Sequence, residues 1–214
     1  MPETHPIVFL LDDEQAVVVA LARMLQVSGF EVRTWTSAAV FLEEHTADTP
    51  GCLVTDLRMP GMSGLELQRA LLDRGIDRAV VFITGQGDIP TTVRAMKAGA
   101  VSFLSKPVQR AELVAAVREA IQKDASARAQ WCAQADLGRR LASLTPRERQ
   151  VLDLVASGML NKQIAAELGA AEKTIKVHRG RIMEKMQVRT ATALVGLLSR
   201  AETRAHPARG SPAA

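Results

Sequence analysis

Four short apolar runs in the first half of the chain end in polar residues, and this arrangement limits the fold more than any other feature. Asp12 and Asp13 follow IVFLL, Asp56 follows CLVT, Thr84 closes AVVFI and Lys106 follows AVSFLS. Apolar runs of this length are typical of buried parallel strands. Because the carboxyl ends of parallel strands lie at one edge of a sheet, we expect these polar residues to meet there, in a doubly wound α/β fold.

The predicted cluster suits phosphoryl transfer. Crowded carboxylates repel one another, and a divalent cation is the usual means of keeping them ionised; Mg²⁺ prefers such oxygen ligands. A lysine and a threonine opposite the metal would bind the oxygens of a transferred phosphoryl group, with Asp56 as its acceptor. The competing interpretation is that each Asp only caps the next helix. Capping is common for a single Asp, but it does not account for the lysine and the acid pair.

Four longer motifs extend this pattern: DDE at 12–14, TDLRMPGMSGLEL at 55–67, FITGQGD at 82–88 and MKAGAVSFLSKP at 96–107. They resemble the receiver domain of bacterial two-component response regulators, and those of the FixJ type in particular. Gln86 departs from the TGHGD that this type suggests. The resemblance implies a flavodoxin-like fold with strand order 2-1-3-4-5.

The resemblance also implies roles for individual residues. Asp56 is expected to be phosphorylated by a sensor histidine kinase. Mg²⁺ is the implied cofactor, and its ligands would be Asp12, Asp13, Asp56 and the backbone carbonyl of Arg58.

Further implied residues connect phosphorylation to a change of shape. Thr84 and Lys106 would contact the phosphoryl oxygens, and Thr84 with Phe103 would form the switch, Phe103 standing at the aromatic switch position. The phosphorylated protein is then expected to form a homodimer. Its interface would be the face formed by the last strand and the helix before it, where Arg94 and Lys97 are candidate cations.

A second signal lies downstream, at residues 144–188, and consists of helix start and stop residues. Thr145 and Glu148 form a predicted capping box around Pro146. Asn161 is predicted to cap a second, short helix, and a third is predicted to begin near Glu172. Two short helices around a glycine turn indicate a helix-turn-helix. The segment resembles the four-helix DNA-binding domain of the LuxR and NarL group, with a fourth helix at about 192–200.

The third of these helices is the predicted DNA-reading element. Its apolar residues Ile175, Ile182 and Met186 fall on one side, which should face the other helices. Cations can bond guanine or phosphate in the major groove, and a small apolar side chain can contact a thymine methyl. Gly180 departs from the family pattern, which often has a cation there. The alternative is an ordinary solvated basic face. The candidate DNA contacts are Lys173, Thr174, Lys176, Val177, Gly180 and Arg181.

The two halves differ in net charge. Residues 1–123 contain 12 Lys and Arg against 15 Asp and Glu, whereas residues 143–214 contain 12 against 6. A basic carboxyl-terminal half suits a polyanion such as promoter DNA, with an affinity that falls as salt rises. RNA polymerase is a further candidate partner at a promoter.

The predicted organisation is a receiver domain over 1–123, a helical linker over 124–142, an all-α helix-turn-helix domain over 143–202 and a disordered tail over 203–214. The linker contains no proline and is expected to continue as a helix to about residue 137. No apolar stretch reaches the roughly 18 residues of a membrane span, so a cytoplasmic protein with no membrane partner is expected.

Two other classes of protein share part of these features. A haloacid-dehalogenase-like phosphatase also uses a strand-end Asp with Mg²⁺, but it needs a second acid two residues later, where this chain has Arg58. A quorum-sensing ligand sensor shares the DNA-binding half but has an apolar pocket in place of the acid cluster. The favoured prediction is therefore a phosphorylation-activated transcription regulator that is not an enzyme.

Overall fold

The computed structural model describes residues 5–85, 93 and 95–205, the last six by their backbone alone. The chain divides into two compact units, Met1–Ala129 and Gln130–Ala214. The elements that begin in the first unit are β1 Ile7–Leu11, α1 Gln15–Val27, β2 Glu31–Trp35, α2 Ala38–Glu44, β3 Gly51–Asp56, α3 Gly64–Asp73, β4 Ala79–Thr84, β5 Ser102–Ser105 and α4 Arg110–Ala142.

The five strands form one parallel sheet in the order β2-β1-β3-β4-β5, which confirms the predicted topology. β1, β3 and β4 are buried along their whole length, whereas the edge strand β2 is largely exposed. Leu11 pairs with Thr55, and Thr84 pairs with Ser105. The register therefore brings the carboxyl ends of β1, β3, β4 and β5 level with one another.

An apolar layer covers each face of the sheet. One layer joins α1 and α4 to the sheet through buried residues such as Leu25 and Val117. The other joins α2 and α3 to it, with Phe41 and Leu67 among its buried side chains. Both faces are covered, which explains why the central strands are continuous apolar runs without alternation.

A buried ionic network holds α4 at the amino-terminal end of β3. Asp124 accepts from the Gly51 N–H over 3.0 Å and pairs with Arg78 over 3.3 Å and with Arg128 over 2.8 Å. The side chains of Arg78 and Asp124 are only 1% and 4% exposed. Gly51 has φ +143°, and a Cβ there would lie 1.9 Å from the carbonyl oxygen of Ile7. Only glycine therefore lets the strand begin where Asp124 can reach its N–H.

His45 completes this network from the other side. Its Nε2 lies 2.9 Å from Nη2 of Arg78, and its ring stacks on Phe41 and meets Phe9 edge-on. Burial, and then the positive charges of Arg78 and Arg128, lower the pKa of His45 to about 4. The neutral ring is therefore the form that this environment stabilises.

We expect the stability of the first unit to depend on His45 between pH 7 and pH 5. The folded pKa lies below the unfolded one, so the contribution is complete above about pH 6.5 and is lost as the pH falls towards 4. Between pH 7 and 5 the free energy of unfolding should fall by about 1 to 2 kcal/mol from this group. Urea unfolding of a Trp131→Phe protein, followed by Trp35 fluorescence, measures it. His45→Gln should remove most of the dependence; an unchanged slope would contradict the assignment.

The second unit is a bundle of short helices. They are α5 Pro146–Ala156, α6 Asn161–Glu167, α7 Glu172–Met186 and α8 Ala191–Ala205. The predicted capping box is confirmed: Glu148 N–H donates to Thr145 Oγ1 over 3.2 Å, and Thr145 N–H donates to Glu148 over 2.9 Å. Lys185, then Thr145, lowers the pKa of Glu148 to about 2. These contacts join the start of α5 to α7.

Three predicted helix ends differ from those in the structure. Asn161 is the first residue of α6, and Leu160 is the cap residue, because the Asn161 side chain accepts a hydrogen bond from Arg179 instead. The linker helix was predicted to end near 137, but α4 ends at Ala142. The first unit ends at Ala129, six residues after the predicted end of the receiver domain, and Asp124 and Arg128 bind within that unit; the domain boundaries stay predictions. The fourth helix was predicted to end near 200 but ends at Ala205, inside the predicted tail; residues 206–214 lie outside the described part.

Among the residues that the structure describes, no helix is both long and apolar enough to cross a membrane.

Candidate functional site

The polar residues at the strand ends form one cluster, as their spacing predicted. Asp12 directly follows β1, Asp56 ends β3, Thr84 ends β4 and Lys106 directly follows β5. Lys106 Nζ lies 2.7 Å from Asp12 Oδ2 and 2.5 Å from Asp56 Oδ2. One ammonium group therefore bridges the two carboxylates across the carboxyl edge of the sheet. The Lys106 N–H also donates to the Thr84 carbonyl over 2.7 Å, which fixes the backbone beside the site.

The cluster is buried on one side and exposed to solvent on the other. Asp12 is 1% exposed and Asp56 7%, whereas Asp13 is exposed to solvent. Burial opposes the charged form of Lys106, but its hydrogen bonds to the two carboxylates outweigh burial, and the pKa of Lys106 is raised. Lys106 therefore stays protonated at neutral pH, and a small molecule can reach the acids from the open side.

Three of the acids are close enough to share one cation. A carboxylate oxygen from each of Asp12, Asp13 and Asp56 lies within 4.8 Å of the others. Carboxylate oxygens are the ligands that Mg²⁺ prefers, and three acids against one lysine leave an excess of negative charge. The donor set therefore fits Mg²⁺. Arg58 is adjacent, and its N–H donates to Asp56 Oδ1 over 2.9 Å.

Gly64, which was not predicted to matter, determines how closely α3 approaches Asp56. A Cβ at Gly64 would lie 2.4 Å from the Asp56 carbonyl oxygen and 3.0 Å from the Phe82 ring. Ser63 caps α3 and forms a capping box with Glu66. A serine followed three residues later by glutamate is a sequence pattern that predicts the start of α3, beside Gly64. The contact itself depends on the tertiary approach of α3 to β3.

The two predicted switch residues occupy neighbouring strands. Thr84 is 1% exposed at the end of β4. Phe103 is half-buried in β5, where it pairs with Phe82 and packs against the apolar layer of α2 and α3. Gln86 and Arg94 lie outside the described residues, and Lys97 is exposed.

The second candidate site is the outer surface of α7. Ile175, Ile182 and Met186 are buried in the bundle core, as their spacing predicted. A Cβ at Gly180 would meet nothing within 4 Å, so packing does not require glycine there. All six candidate DNA contacts are exposed: Lys173, Thr174, Lys176, Val177, Gly180 and Arg181.

Comparisons with known proteins match both units. Residues 8–118 match the family model described as response regulator receiver domain, and residues 142–198 match bacterial regulatory proteins, luxR family. The transcriptional regulatory protein FixJ of Azorhizobium caulinodans is 45% identical over 195 residues, which are 91% of this chain and 92% of that protein. The tetrathionate response regulatory protein TtrR of Salmonella typhimurium is 40% identical over 200 residues, 94% of each chain.

Solved structures show the same likeness. The response regulator StyR has a TM-score of 0.84 and 48% identity, covering 92% of this chain and 99% of its own. Full-length FixJ from B. japonicum has a TM-score of 0.57 and 37% identity, covering 94% of this chain and 98% of its own.

Proposed function

This chain belongs to the two-component response regulators that join a receiver domain to a LuxR-family DNA-binding domain, and from that premise we propose how it works. It is a phosphorylation-dependent transcription regulator and not an enzyme. The phosphatase and the quorum-sensing ligand sensor are not supported, since the receiver family matches the region where either would have a different domain.

Asp56 is the proposed phosphoryl acceptor, and a sensor histidine kinase is the proposed donor. One observation carries this proposal: Lys106 Nζ lies 2.5 Å from Asp56 Oδ2 and 2.7 Å from Asp12 Oδ2. The bonds hold a carboxylate oxygen at a partly open site beside a fixed positive charge. Such a charge stabilises the oxygens of a phosphoryl group during transfer.

The acid cluster is also proposed to hold Mg²⁺. Its ligands would be Asp12, Asp13, Asp56 and the backbone carbonyl of Arg58. When bound, Mg²⁺ would neutralise charge on the phosphoryl oxygens. Lys106 is already placed to bind one of these oxygens. Thr84, at the end of the adjacent strand, is the proposed hydroxyl donor to another.

Phosphorylation is proposed to favour a homodimer through Thr84 and Phe103. A phosphoryl group adds about −1.5 to −2 charges beside Thr84, which would draw its hydroxyl inward. Phe103 is half-buried on the next strand and could then rotate into the space left. The proposed interface is the face of β5 and the helix before it, including the exposed Lys97.

Beryllofluoride with Mg²⁺ mimics the phosphorylated state. We therefore expect it to convert part of the monomer to dimer and so to increase the average molar mass in solution. A shift of the ratio of active to inactive conformation from 1:99 to 99:1 requires about 5.5 kcal/mol of differential stabilisation. We therefore expect a partial shift at micromolar protein. Sedimentation equilibrium with and without the mimic measures it. Phe103→Ala should bind the mimic and remain largely monomeric; an identical mass in both wild-type conditions would contradict the dimer.

The outer surface of α7 is proposed to read promoter DNA in the major groove, with RNA polymerase as a further partner. The surrounding unit is basic, and α7 presents four exposed residues that can donate hydrogen bonds beside the apolar Val177. Cations there suit phosphate or guanine, and Val177 suits a thymine methyl. This arrangement matches the second helix of a helix-turn-helix, which enters the major groove.

Replacing Lys176 with Ala should weaken DNA binding. If this lysine meets a phosphate, the slope of log affinity against log salt should fall in magnitude by about one. If it bonds a base, discrimination at one base pair should fall by about 1 to 3 kcal/mol instead. Fluorescence anisotropy over a salt series separates the two. Arg189→Ala, which removes an exposed cation after the end of α7, is the matched control. No change in affinity, slope or base preference would show that α7 does not meet DNA with this face.

A further inference from the structure

One polar contact ties the recognition helix α7 to the start of α6. Arg179 on α7 donates from Nη1 to Oδ1 of Asn161, the first residue of α6, over 2.9 Å. Both side chains are half-buried. The bond therefore joins the two helices of the helix-turn-helix at the end of α6 that lies farthest from the turn between them.

The apolar attachment of α6 lies further along the helix. Ile164 and Ala165 are its buried residues, and they share a core with Ile175 of α7. Before them, Leu160 is 69% exposed and Lys162 is also exposed. At about 1.5 Å per residue, the polar attachment is about 4.5 Å along the axis from Ile164. Two separated attachments fix the direction of a two-turn helix, whereas the apolar one alone would let it pivot.

The bond to Asn161 leaves the charge of Arg179 uncompensated. No carboxylate among the described residues forms an ion pair with Arg179, whereas Lys185 of the same helix pairs with Glu148 over 2.6 Å. A charged donor makes a stronger hydrogen bond to an amide oxygen than a neutral donor does. An amide acceptor thus allows a strong link between the helices without neutralising the positive charge of Arg179.

We propose that Arg179 is a positioning residue for DNA recognition, acting through Asn161. The contact sets the angle between α6 and α7, so that α7 can enter the major groove while α6 crosses the phosphate backbone. Arg179 is not proposed to read a base. At 100° per residue it lies about 40° from the buried Ile175 and about 160° from Val177, which faces outward. The inference rests on the proposed DNA-binding function. It assigns a role in recognition to Arg179 and Asn161, which are not among the candidate DNA contacts on the outer surface of α7.

The test uses full-length protein, held in the active form by beryllofluoride with Mg²⁺, and two DNA duplexes. One is the sequence that the wild-type protein enriches from a random-sequence pool, and the other is a scrambled version of it. The ratio of the two affinities measures recognition, and a salt series gives the number of phosphate contacts. Asn161→Ala removes the acceptor without changing any charge, so it should lower the ratio by about tenfold and leave the salt slope unchanged. Arg179→Met should lower the ratio by a similar factor.

Coupling and controls separate positioning from the alternatives. The double variant should be no worse than the poorer single variant, because both remove one bond. Arg179→Lys keeps a donor and should restore part of the ratio. Arg189→Met removes an equal charge from an exposed site and should leave the ratio unchanged. Thermal melting of each variant checks that the domain is folded at the assay temperature.

Three results would overturn the inference. One is an unchanged ratio in both single variants. The second is additive losses in the double variant, which would mean that each residue acts alone. The third is an Arg179→Met protein whose salt slope falls by about one with an unchanged ratio, which would make Arg179 a direct phosphate contact. A wild-type protein that enriches no sequence would instead refute the proposed function, and this inference with it.

Discussion

Replacing Asp56 with Asn is expected to abolish phosphorylation by acetyl phosphate in the presence of Mg²⁺. In the proposed reaction of the wild-type protein, a carboxylate oxygen of Asp56 attacks phosphorus, the bond from phosphorus to the acetyl oxygen breaks, and acetate leaves. The amide of Asn is neutral and a poor nucleophile. It has the size and shape of the carboxylate, and its one oxygen can still accept from one of the two donors that bind Asp56: Lys106 Nζ, 2.5 Å from Oδ2, or the Arg58 N–H, 2.9 Å from Oδ1. The loss should therefore be chemical, with the fold retained.

Intact-mass spectrometry measures the phosphorylated fraction directly. Asp48→Asn alters an exposed acid outside the cluster and should be phosphorylated normally. Lys106→Ala should still be phosphorylated. It should not bind DNA more tightly or form the dimer after phosphorylation, because the group that links the phosphoryl oxygens to β5 has gone. Full phosphorylation of the Asn variant would show that the acceptor is another residue.

Replacing Asp124 with Ala is expected to produce the largest loss of stability in the first unit. The Arg78 side chain is 1% exposed, and burial already lowers its pKa against the opposing effect of Asp124. Removing the carboxylate leaves a buried guanidinium without its ion-pair partner and the Gly51 N–H without its acceptor. Breaking a buried pair in this way costs about 3 to 5 kcal/mol, a large part of the stability of a typical domain.

Urea denaturation followed by circular dichroism and by Trp35 fluorescence measures the loss. Asp48→Ala removes an equal charge from the exposed loop nearby and should change the free energy of unfolding by less than about 0.5 kcal/mol. An Arg78→Met, Asp124→Leu double variant should be less destabilised than Asp124→Ala, because it buries no unpaired charge. Equal stability of Asp124→Ala and wild type would show that the network contributes nothing. A fragment that ends at residue 123 should show a similar loss.

The sequence alone was enough to predict a parallel sheet and the acid cluster, and the reason is physical; the strand order was implied by the resemblance to receiver domains. An apolar run ending in a polar residue is a local pattern, and a parallel sheet brings all such ends to one edge. The resemblance to receiver domains then supplied the roles of the residues. The capping box of Thr145 and Glu148 was equally predictable, since both partners lie within one helical turn. The metal ligands, the switch and the DNA contacts remain predictions.

Tertiary structure alone decided the features whose partners are far apart in sequence. Asp124 meets Arg78 and Gly51 across 46 and 73 positions, and no periodicity marks such a pairing. These contacts join Asp124 and Arg128 to the first unit, after residue 123, where the receiver domain was predicted to end. Asn161 looked like a helix cap because a local acceptor usually serves the next backbone N–H groups. Once the chain folds, a guanidinium on another helix offers a charged donor to the same oxygen, so Asn161 lies inside α6 with its side chain bonded to Arg179, and the two helices of the DNA-binding unit are linked.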